Sequence, residues 1–366
     1  MRCAIAKGAA LAAAMLLVTV GALIAAGADA GRRGAVPVGV GDLPHQANVD
    51  ETAVAEEFGL NFLHTKVRWA EPTQGDYAWT DFGDADPLAD RLKRLKAAGY
   101  TVAVTFTCVD DDRTHMPRYL QDLPFNDAVV LDRWAAYLEA FLERYGKHVD
   151  FVTVGYKINA YFHKHPKEWT GFVRFVGRGA QAVRKAAPTV SVGVALGDDD
   201  NPARYWKDVA PACGHLGFVY TAPASILDTD PPAQVLDPRS ASFLGRTLES
   251  ALRMAGRRKV LLLDVACPTH PAVDASPALQ ARFIRTLFGW LRRAESRVGG
   301  LTWTGDKDWP YEATRNALAK MFGDQILQYR GVIRYLTSVG LRTETGQEKP
   351  GYAAFREALQ AYRKGR

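Results

Sequence analysis

Side chains that could do chemistry stand in this chain just beyond short apolar runs. Arg68, Trp69 and Glu71 follow a run that ends at Val67. Asp110, Asp111 and Asp112 come after Thr107 and Cys108, and Tyr156, Lys157 and Asn159 come after Val154. Asp198, Asp199 and Asp200 follow a fifth run, Tyr220 ends a sixth, Asp264 a seventh, and Trp303 an eighth, with Asp306 and Asp308 beyond it. Aromatic rings stack on the apolar faces of pyranoses, while charged and amide groups satisfy sugar hydroxyls. The expected ligand is therefore an oligo- or polysaccharide, bound by Arg68, Trp69, Tyr156, Asn159, Tyr220 and Trp303. A lysine at 157 could instead form a Schiff base with a carbonyl substrate. That chemistry needs a depressed pKa, and a nearby Asp264 would raise it.

Other ligand chemistries find less support. The Asp triplets suit a hard cation, but no EF-hand spacing accompanies them, and solvated loops explain them equally. His115, His163, His165 and His270 lie scattered, without H-E-x-x-H spacing. Cys108, Cys213 and Cys267 form no C-x-x-C pair, so zinc is not expected. An odd count allows at most one disulfide, and the expected role is that of buried small hydrophobes. No metal and no cofactor is expected.

The apolar runs alternate with helical patterns. The expected strands are 36–40, 60–67, 101–106, 151–154, 190–194, 217–220, 260–264 and 300–304, rich in Val, Leu, Phe and Thr and bounded by Gly, Asp or Pro. Leu88, Leu92 and Leu95 make a helical stripe within 86–98. Longer helices are expected over 127–145, 168–187, 278–294 and 316–338. Eight strands alternating with helices predict a single-domain α/β protein, a (β/α)8 TIM barrel. A doubly wound sheet is the alternative, weakened by the lack of a Gly-rich phosphate loop after the first strand. In a barrel the strand ends gather at one mouth, where function resides.

The chain has 366 residues, 48% of them hydrophobic and 23% charged, with a net charge of +6. These values fit a globular protein. No basic run carries interleaved aromatics, so nucleic acid is not an expected partner. The N-terminus reads differently. Arg2 and Lys7 precede an apolar stretch from Gly8 to Gly27, and Ala28-Asp29-Ala30 offers a cleavage site. Residues 1–30 thus read as a secretory signal peptide, with 31–366 as the barrel and a secreted or periplasmic, extracytoplasmic location. A membrane becomes a partner only if this long stretch stays uncleaved as an anchor.

Four segments, in order, carry a family resemblance. "RWAEPTQGDYAWTDF" resembles W-x-x-x-E-P-x-x-G-x-Y-x-W-x-x-x-D, with one residue fewer between Trp69 and Glu71. "VDFVTVGYKINAYF" resembles V-x-x-x-x-x-G-N-E-x-N, "KVLLLDVACPTHP" a segment usually reading E-x-G-x-P-T, and "GLRTETGQEKPGYAAFREAL" a closing G-L-x-x-x-x-G-x-x-K-P-x-x-x-A-F. The chain so resembles the clan A retaining glycoside hydrolases, which are (β/α)8 barrels. The resemblance implies two catalytic glutamates about 5 Å apart, an acid/base after the fourth strand and a nucleophile on the seventh.

This chain departs at both places. Lys157 stands at the acid/base position, Asp264 at the nucleophile position, and Tyr156 replaces the Asn that binds the sugar 2-hydroxyl. An ammonium with an ordinary pKa of about 10.4 is a poor acid near neutrality and cannot later act as a carboxylate base. Asp is one methylene shorter than Glu, a retraction of about 1.5 Å. A misplacement of about 1 Å can cost ~100-fold in rate, and losing general acid–base help costs ~10²–10⁴-fold. The expectation is a secreted, glycoside-hydrolase-like protein that binds carbohydrate and is catalytically inactive or strongly impaired, with Lys157 and Asp264 joined in a salt bridge across the mouth. The alternative is an active glycosidase in which Asp264 attacks and an acid is relocated to a loop, from Asp110, Asp111, Asp112, Asp198, Asp199, Asp200, Asp306 or Asp308.

Overall fold

Strands rich in Val, Leu and Phe on both faces must be covered on both sides, and a parallel sheet wrapped by helices does this. In the computed structural model, which describes residues 35–41, 51–78, 88–111, 113–198, 201–221, 240–322, 327 and 330–364, eight such strands form. They are β1 (Val38–Val40), β2 (Phe62–Val67), β3 (Thr101–Asp110), β4 (Phe151–Tyr156), β5 (Ser191–Gly197), β6 (His215–Thr221), β7 (Lys259–Ala266) and β8 (Val298–Trp303). They pair in parallel in the order β2-β3-β4-β5-β6-β7-β8-β1. The ends of this order meet where Asn61 donates from its backbone N to the Val38 carbonyl, 3.0 Å away, and Val38 N donates to Asn61 Oδ1 at 3.1 Å. The result is a nearly closed (β/α)8 barrel in one domain. The proposed signal segment 1–30 and residues Asp112, Asp199 and Asp200 lie outside the described residues.

The helices are α1 (Glu51–Phe58), α2 (Leu88–Ala97), α3 (Ala128–Tyr145), α4 (Ile158–Lys164), α5 (Trp169–Ala186), α6 (Pro202–Val209), α7 (Ser240–Ala255), α8 (Pro277–Ala294), α9 (Tyr311–Phe322), α10 (Arg330–Leu336) and α11 (Pro350–Lys364). Local sequence starts two of them. The Asp127 carboxylate accepts from Val129 N at 2.8 Å, and Ser276 Oγ accepts from Leu279 N at 3.2 Å ahead of Pro277. The single helix expected over 316–338 is instead two, α9 and α10. The sequence between them contains Gly323, a residue that favours helix ends.

Two apolar clusters follow from the barrel geometry. One fills the interior: Phe62, Ala103, Ala195, Val219, Leu261 and Leu263, capped by Tyr156. The other lies between sheet and helices, where Trp134 of α3 stacks on Phe175 of α5 with centroids 4.8 Å apart and Phe106 meets Phe141 edge-on at 4.9 Å. Small residues make room for the large ones inside. A Cβ on Gly300 would sit 2.4 Å from the Phe62 ring, and one on Gly193 would sit 2.7 Å from the His215 ring. Cys108, Cys213 and Cys267 are buried and unbonded to one another.

His215 is fully buried inside the barrel. Its ring nitrogens meet Ser191 Oγ at 3.0 Å and Thr153 Oγ1 at 3.1 Å, and burial pushes its pKa down to about 3. The folded state therefore keeps it neutral where an unfolded chain would protonate it. Its contribution to stability is complete above an unfolded pKa of about 6.5 and is lost as pH falls from there toward 3, with a slope of up to about 1.4 kcal/mol per pH unit. Urea unfolding measured between pH 7 and pH 4 should display this slope, and His215→Asn should flatten it.

Candidate active site at the strand ends

The seventh strand brings Asp264 to the mouth in an unusual backbone. Its φ is +50°, left-handed for a non-glycine residue, and the register of β7 slips at this point against both neighbours, between Leu262 and Val265 on β8 and between Leu263 and Ala266 on β6. The break turns the side chain inward. It is held by Asp264 N donating to Thr302 Oγ1 at 2.9 Å and by Thr304 Oγ1 donating to the Asp264 carbonyl at 2.9 Å.

Both carboxylate oxygens of Asp264 are engaged. Oδ1 lies 3.2 Å from His64 Nδ1. Oδ2 accepts from Lys66 Nζ at 2.6 Å and from the Tyr156 hydroxyl at 2.7 Å. The Lys66 ammonium also sits 3.8 Å from the centroid of the Tyr156 ring, a cation–π contact. His64 Nε2 lies 2.9 Å from Thr105 Oγ1, so the ring is oriented from behind. Burial pushes the Asp264 carboxyl up, but Lys66 and His64 outweigh it and hold it well below the usual carboxylate range. Tyr156 moves the other way: burial and the adjacent Asp264 charge hold its phenol well above its ordinary value. The network thus keeps an anion at 264 and a neutral phenol at 156.

The fourth strand presents Lys157, also left-handed at φ +48°. Its Nζ lies 3.2 Å from Asp111 Oδ2, and Asp111 is itself left-handed at φ +55°. The expected Lys157–Asp264 salt bridge is therefore corrected on both sides: Lys157 pairs with Asp111 of the third strand end, and Lys66 takes the place beside Asp264. The physical reason is reach. Lys66 rises from inside β2 directly under the carboxylate, whereas Lys157 starts an outward turn into α4. Asp110, next to this pair, has its carboxyl raised by burial against the opposing pull of Lys66 and Lys157. Three left-handed non-glycine residues at the strand ends of one mouth, two of them on neighbouring strands, are a common mark of functional sites.

The other residues expected to bind sugar divide differently. Tyr156 reaches the mouth network. Arg68 is exposed at the end of β2. Asn159 is buried and structural: its Oδ1 accepts from Gly197 N at 2.7 Å, tying the start of α4 to the end of β5. The expectation that Trp69, Tyr220 and Trp303 line the mouth is corrected, because all three turn outward between sheet and helices. Trp69 packs on Trp134 at 5.1 Å, Tyr220 stacks on Phe283 of α8 at 6.0 Å, and Trp303 donates to the Val339 carbonyl at 3.2 Å. Side chains alternate along a strand, so each faces opposite to its inward neighbour. Glu71 is buried against Arg133 and accepts from Gly75 N at 2.6 Å, which fixes the hairpin after β2. Asp306 pairs with Arg342, and Asp308 accepts from Lys349 Nζ at 2.8 Å.

His64 and Lys66 were not singled out from sequence. A signal existed: a basic pair at i and i+2 within an otherwise apolar strand shares one face, and in a barrel that face is the interior. Removing Lys66 leaves the buried Asp264 charge without its main counter-ion, a loss of about 3 kcal/mol. A cycle of Lys66→Met, Asp264→Asn and the double variant, read by urea unfolding, should give a coupling above about 1 kcal/mol. The contribution of Asp264 is present above the ordinary carboxylate range and is lost as pH falls below it. The stability gap between the wild type and Asp264→Asn should therefore narrow below about pH 4.

No family model matches the chain, and no curated protein matches it in sequence. Solved structures do match its fold. An exo-β-1,4-mannosidase from Opitutaceae bacterium strain TAV5 superposes with a TM-score of 0.65 at 19% identity over 91% of this chain, which spans 61% of that protein. GH5_18 from Streptomyces cattleya, solved with GlcNAc, gives 0.64 at 19% identity, covering 91% of this chain and 81% of that one. Xylanase 10B from Thermotoga maritima gives 0.60 at 12% identity, covering 90% and 97%. With its parallel barrel wrapped by helices, the chain shares the (β/α)8 fold of these glycoside hydrolases.

Proposed function

We propose that this barrel recognises an oligo- or polysaccharide at its strand-end mouth and does not hydrolyse it by the two-carboxylate double displacement. One observation carries the reading: Asp264, at the position the resemblance gives to the nucleophile, has both oxygens occupied, one by His64 and the other by Lys66 and Tyr156. A nucleophile must offer a lone pair to the anomeric carbon, and an ammonium at 2.6 Å competes for it. Lys157 stands where a proton donor is needed and is itself paired with Asp111. The fold shared with enzymes named for mannosidase, galactanase and xylanase activity supports a glycan as ligand. With Trp69, Tyr220 and Trp303 turned away, recognition falls to the polar rim of Lys66, Asp110, Asp111, Tyr156 and Lys157. The signal-like residues 1–30 support a secreted or extracytoplasmic setting.

A second reading keeps an enzyme. Asp110 pairs across the ladder with Tyr156, whose hydroxyl touches Asp264. Its carboxyl, raised by burial, is suited to donate a proton. In that case Asp264 attacks and Asp110 is the relocated acid.

Aryl glycosides separate the two, because an activated aryl group departs without acid help. The expected outcome is no release above an Asp264→Ala control across a panel of aryl sugars, with binding of glycan detected by calorimetry. Release that disappears in Asp264→Ala overturns the non-catalytic reading. Loss of natural-glycan cleavage in Asp110→Asn, with aryl release kept, would then assign the acid.

A further inference from the structure

Every strand of the barrel runs toward the mouth, so every barrel helix runs back and ends at the opposite face. That opposite face is basic. Last turns carry Arg94 and Lys96 on α2, Arg144 on α3, Arg184 and Lys185 on α5. The same holds for Arg253 on α7, Arg292 and Arg293 on α8, and Arg363 and Lys364 on α11. Cations at helix C-termini complement the helix dipole, which accounts for one such residue per helix. It does not account for the cations placed beyond the helix ends, at Lys147 and Arg257. Lys93, Lys147, Arg253, Arg257, Arg292 and Lys364 are exposed and pair with no carboxylate among the described residues. The crowding has a local reporter: His148, on this face, is pushed below its ordinary pKa by burial and then by Lys147, Lys93 and Lys96. Of the acids here, Asp150 is closed by Lys96 at 2.6 Å and Glu295 is half-buried near the Tyr362 hydroxyl; Glu143 on α3 and Glu56 and Glu57 at the end of α1, whose last turn has no base, are exposed and fewer than the cations. The mouth differs, because its acids Asp111, Asp264, Asp306 and Asp308 are each matched by a cation, Lys157, Lys66, Arg342 and Lys349.

A second observation names the occupant. The described chain begins at Ala35, and Val36 N donates to the Tyr362 hydroxyl at 3.0 Å, beside the end of α11. Ala35, Val36 and Pro37 line a depression of about 480 Å³ together with the strand starts Thr101, Phe151 and Lys259, so the N-terminal entry lies in the middle of this face. Residues 1–34, with their apolar stretch from Gly8 to Gly27, therefore join the barrel here. A soluble polyanion would satisfy the charges alone. A bilayer of anionic phospholipid satisfies the charges and, with the apolar stretch uncleaved in the full chain, lies on the side where that stretch leaves the barrel.

We propose that the helix-end face of the barrel docks on an anionic phospholipid surface, leaving the strand-end mouth directed away from the bilayer. Each exposed Lys or Arg drawn to such a surface strengthens binding by about fivefold and acts within a Debye length.

The test is co-sedimentation of the full chain with vesicles of phosphatidylcholine alone and with 30% phosphatidylglycerol. The expected result is at least a tenfold increase in partitioning with phosphatidylglycerol, abolished in 0.5 M salt. Lys147→Glu, Arg257→Glu, Arg292→Glu and Lys364→Glu combined should remove this increase. Lys164→Glu with Lys167→Glu, exposed cations after the fourth strand end, should keep most of it, and both variants should match the wild type by circular dichroism. Equal partitioning to both vesicles overturns the proposal. So does an increase that the helix-end variant retains, or binding to a soluble acidic polysaccharide in place of phosphatidylglycerol vesicles.

Discussion

The burial of one negative charge organises the mouth of this barrel. A carboxylate cannot be taken from water into a protein interior without compensation, since the effective penalty is several kcal/mol. Asp264 is buried, and its compensation comes from three other strands and the bulge that aims it. β2 supplies His64 and Lys66, β4 supplies the Tyr156 hydroxyl, and β8 supplies Thr302 to the backbone. Each donor is fixed by its own strand, so the carboxylate works as a keystone among strands far apart in sequence. Lys66 has a double role, because the same ammonium that neutralises Asp264 rests on the Tyr156 ring.

That arrangement bears directly on chemistry. A retaining glycosidase separates two carboxylate roles, attack and proton transfer, and gives each its own environment. On the proposed reading, Asp264 stands for the attacking group as an anion already held by Lys66, His64 and Tyr156, and Lys157 stands for the acid as a cation tied to Asp111. The charges at the mouth close into two ion pairs, Lys66 with Asp264 and Lys157 with Asp111, which satisfies the barrel without a substrate. On the proposed reading, a neutral glycan is met by polar rim groups more than by stacking rings. The aromatic residues nearest the strand ends contribute instead to the shell between sheet and helices, where Trp69, Trp134 and Phe175 pack as one group.

The two ends of the barrel differ in their physics for a shared reason. Parallel strands and the helices that return between them place the strand C-termini on one face and the return-helix C-termini on the other. Acids that serve the mouth and cations that complement helix dipoles are thereby sorted to opposite ends. A chain of modest net charge, +6, thereby gathers at the helix-end face cations unpaired among the described residues, while the mouth acids are matched by Lys66, Lys157, Arg342 and Lys349.

The sequence by itself determined the barrel. Apolar runs of β-branched and aromatic residues at regular spacing, alternating with helical stripes such as Leu88, Leu92 and Leu95, leave few other ways to bury both faces of a sheet. The caps at Asp127 and Ser276, seen in the structure, likewise belong to local sequence, since they act within one turn. The sequence also marked positions 157 and 264 as departures from the two-glutamate pattern it resembles. The division of 316–338 into two helices was not legible, because the apolar pattern continues across Gly323. Nor was the partnership at the mouth. Whether Asp264 meets Lys157 or Lys66 depends on which strand points which way at the rim, and on the left-handed turns at Asp111, Lys157 and Asp264. The outward facing of Trp69, Tyr220 and Trp303 depends likewise on the pleat, where one residue of shift exchanges mouth for shell. Ion pairs between strands separated by some 200 residues are set by tertiary geometry alone, because nothing local links His64 and Lys66 to the carboxylate they hold.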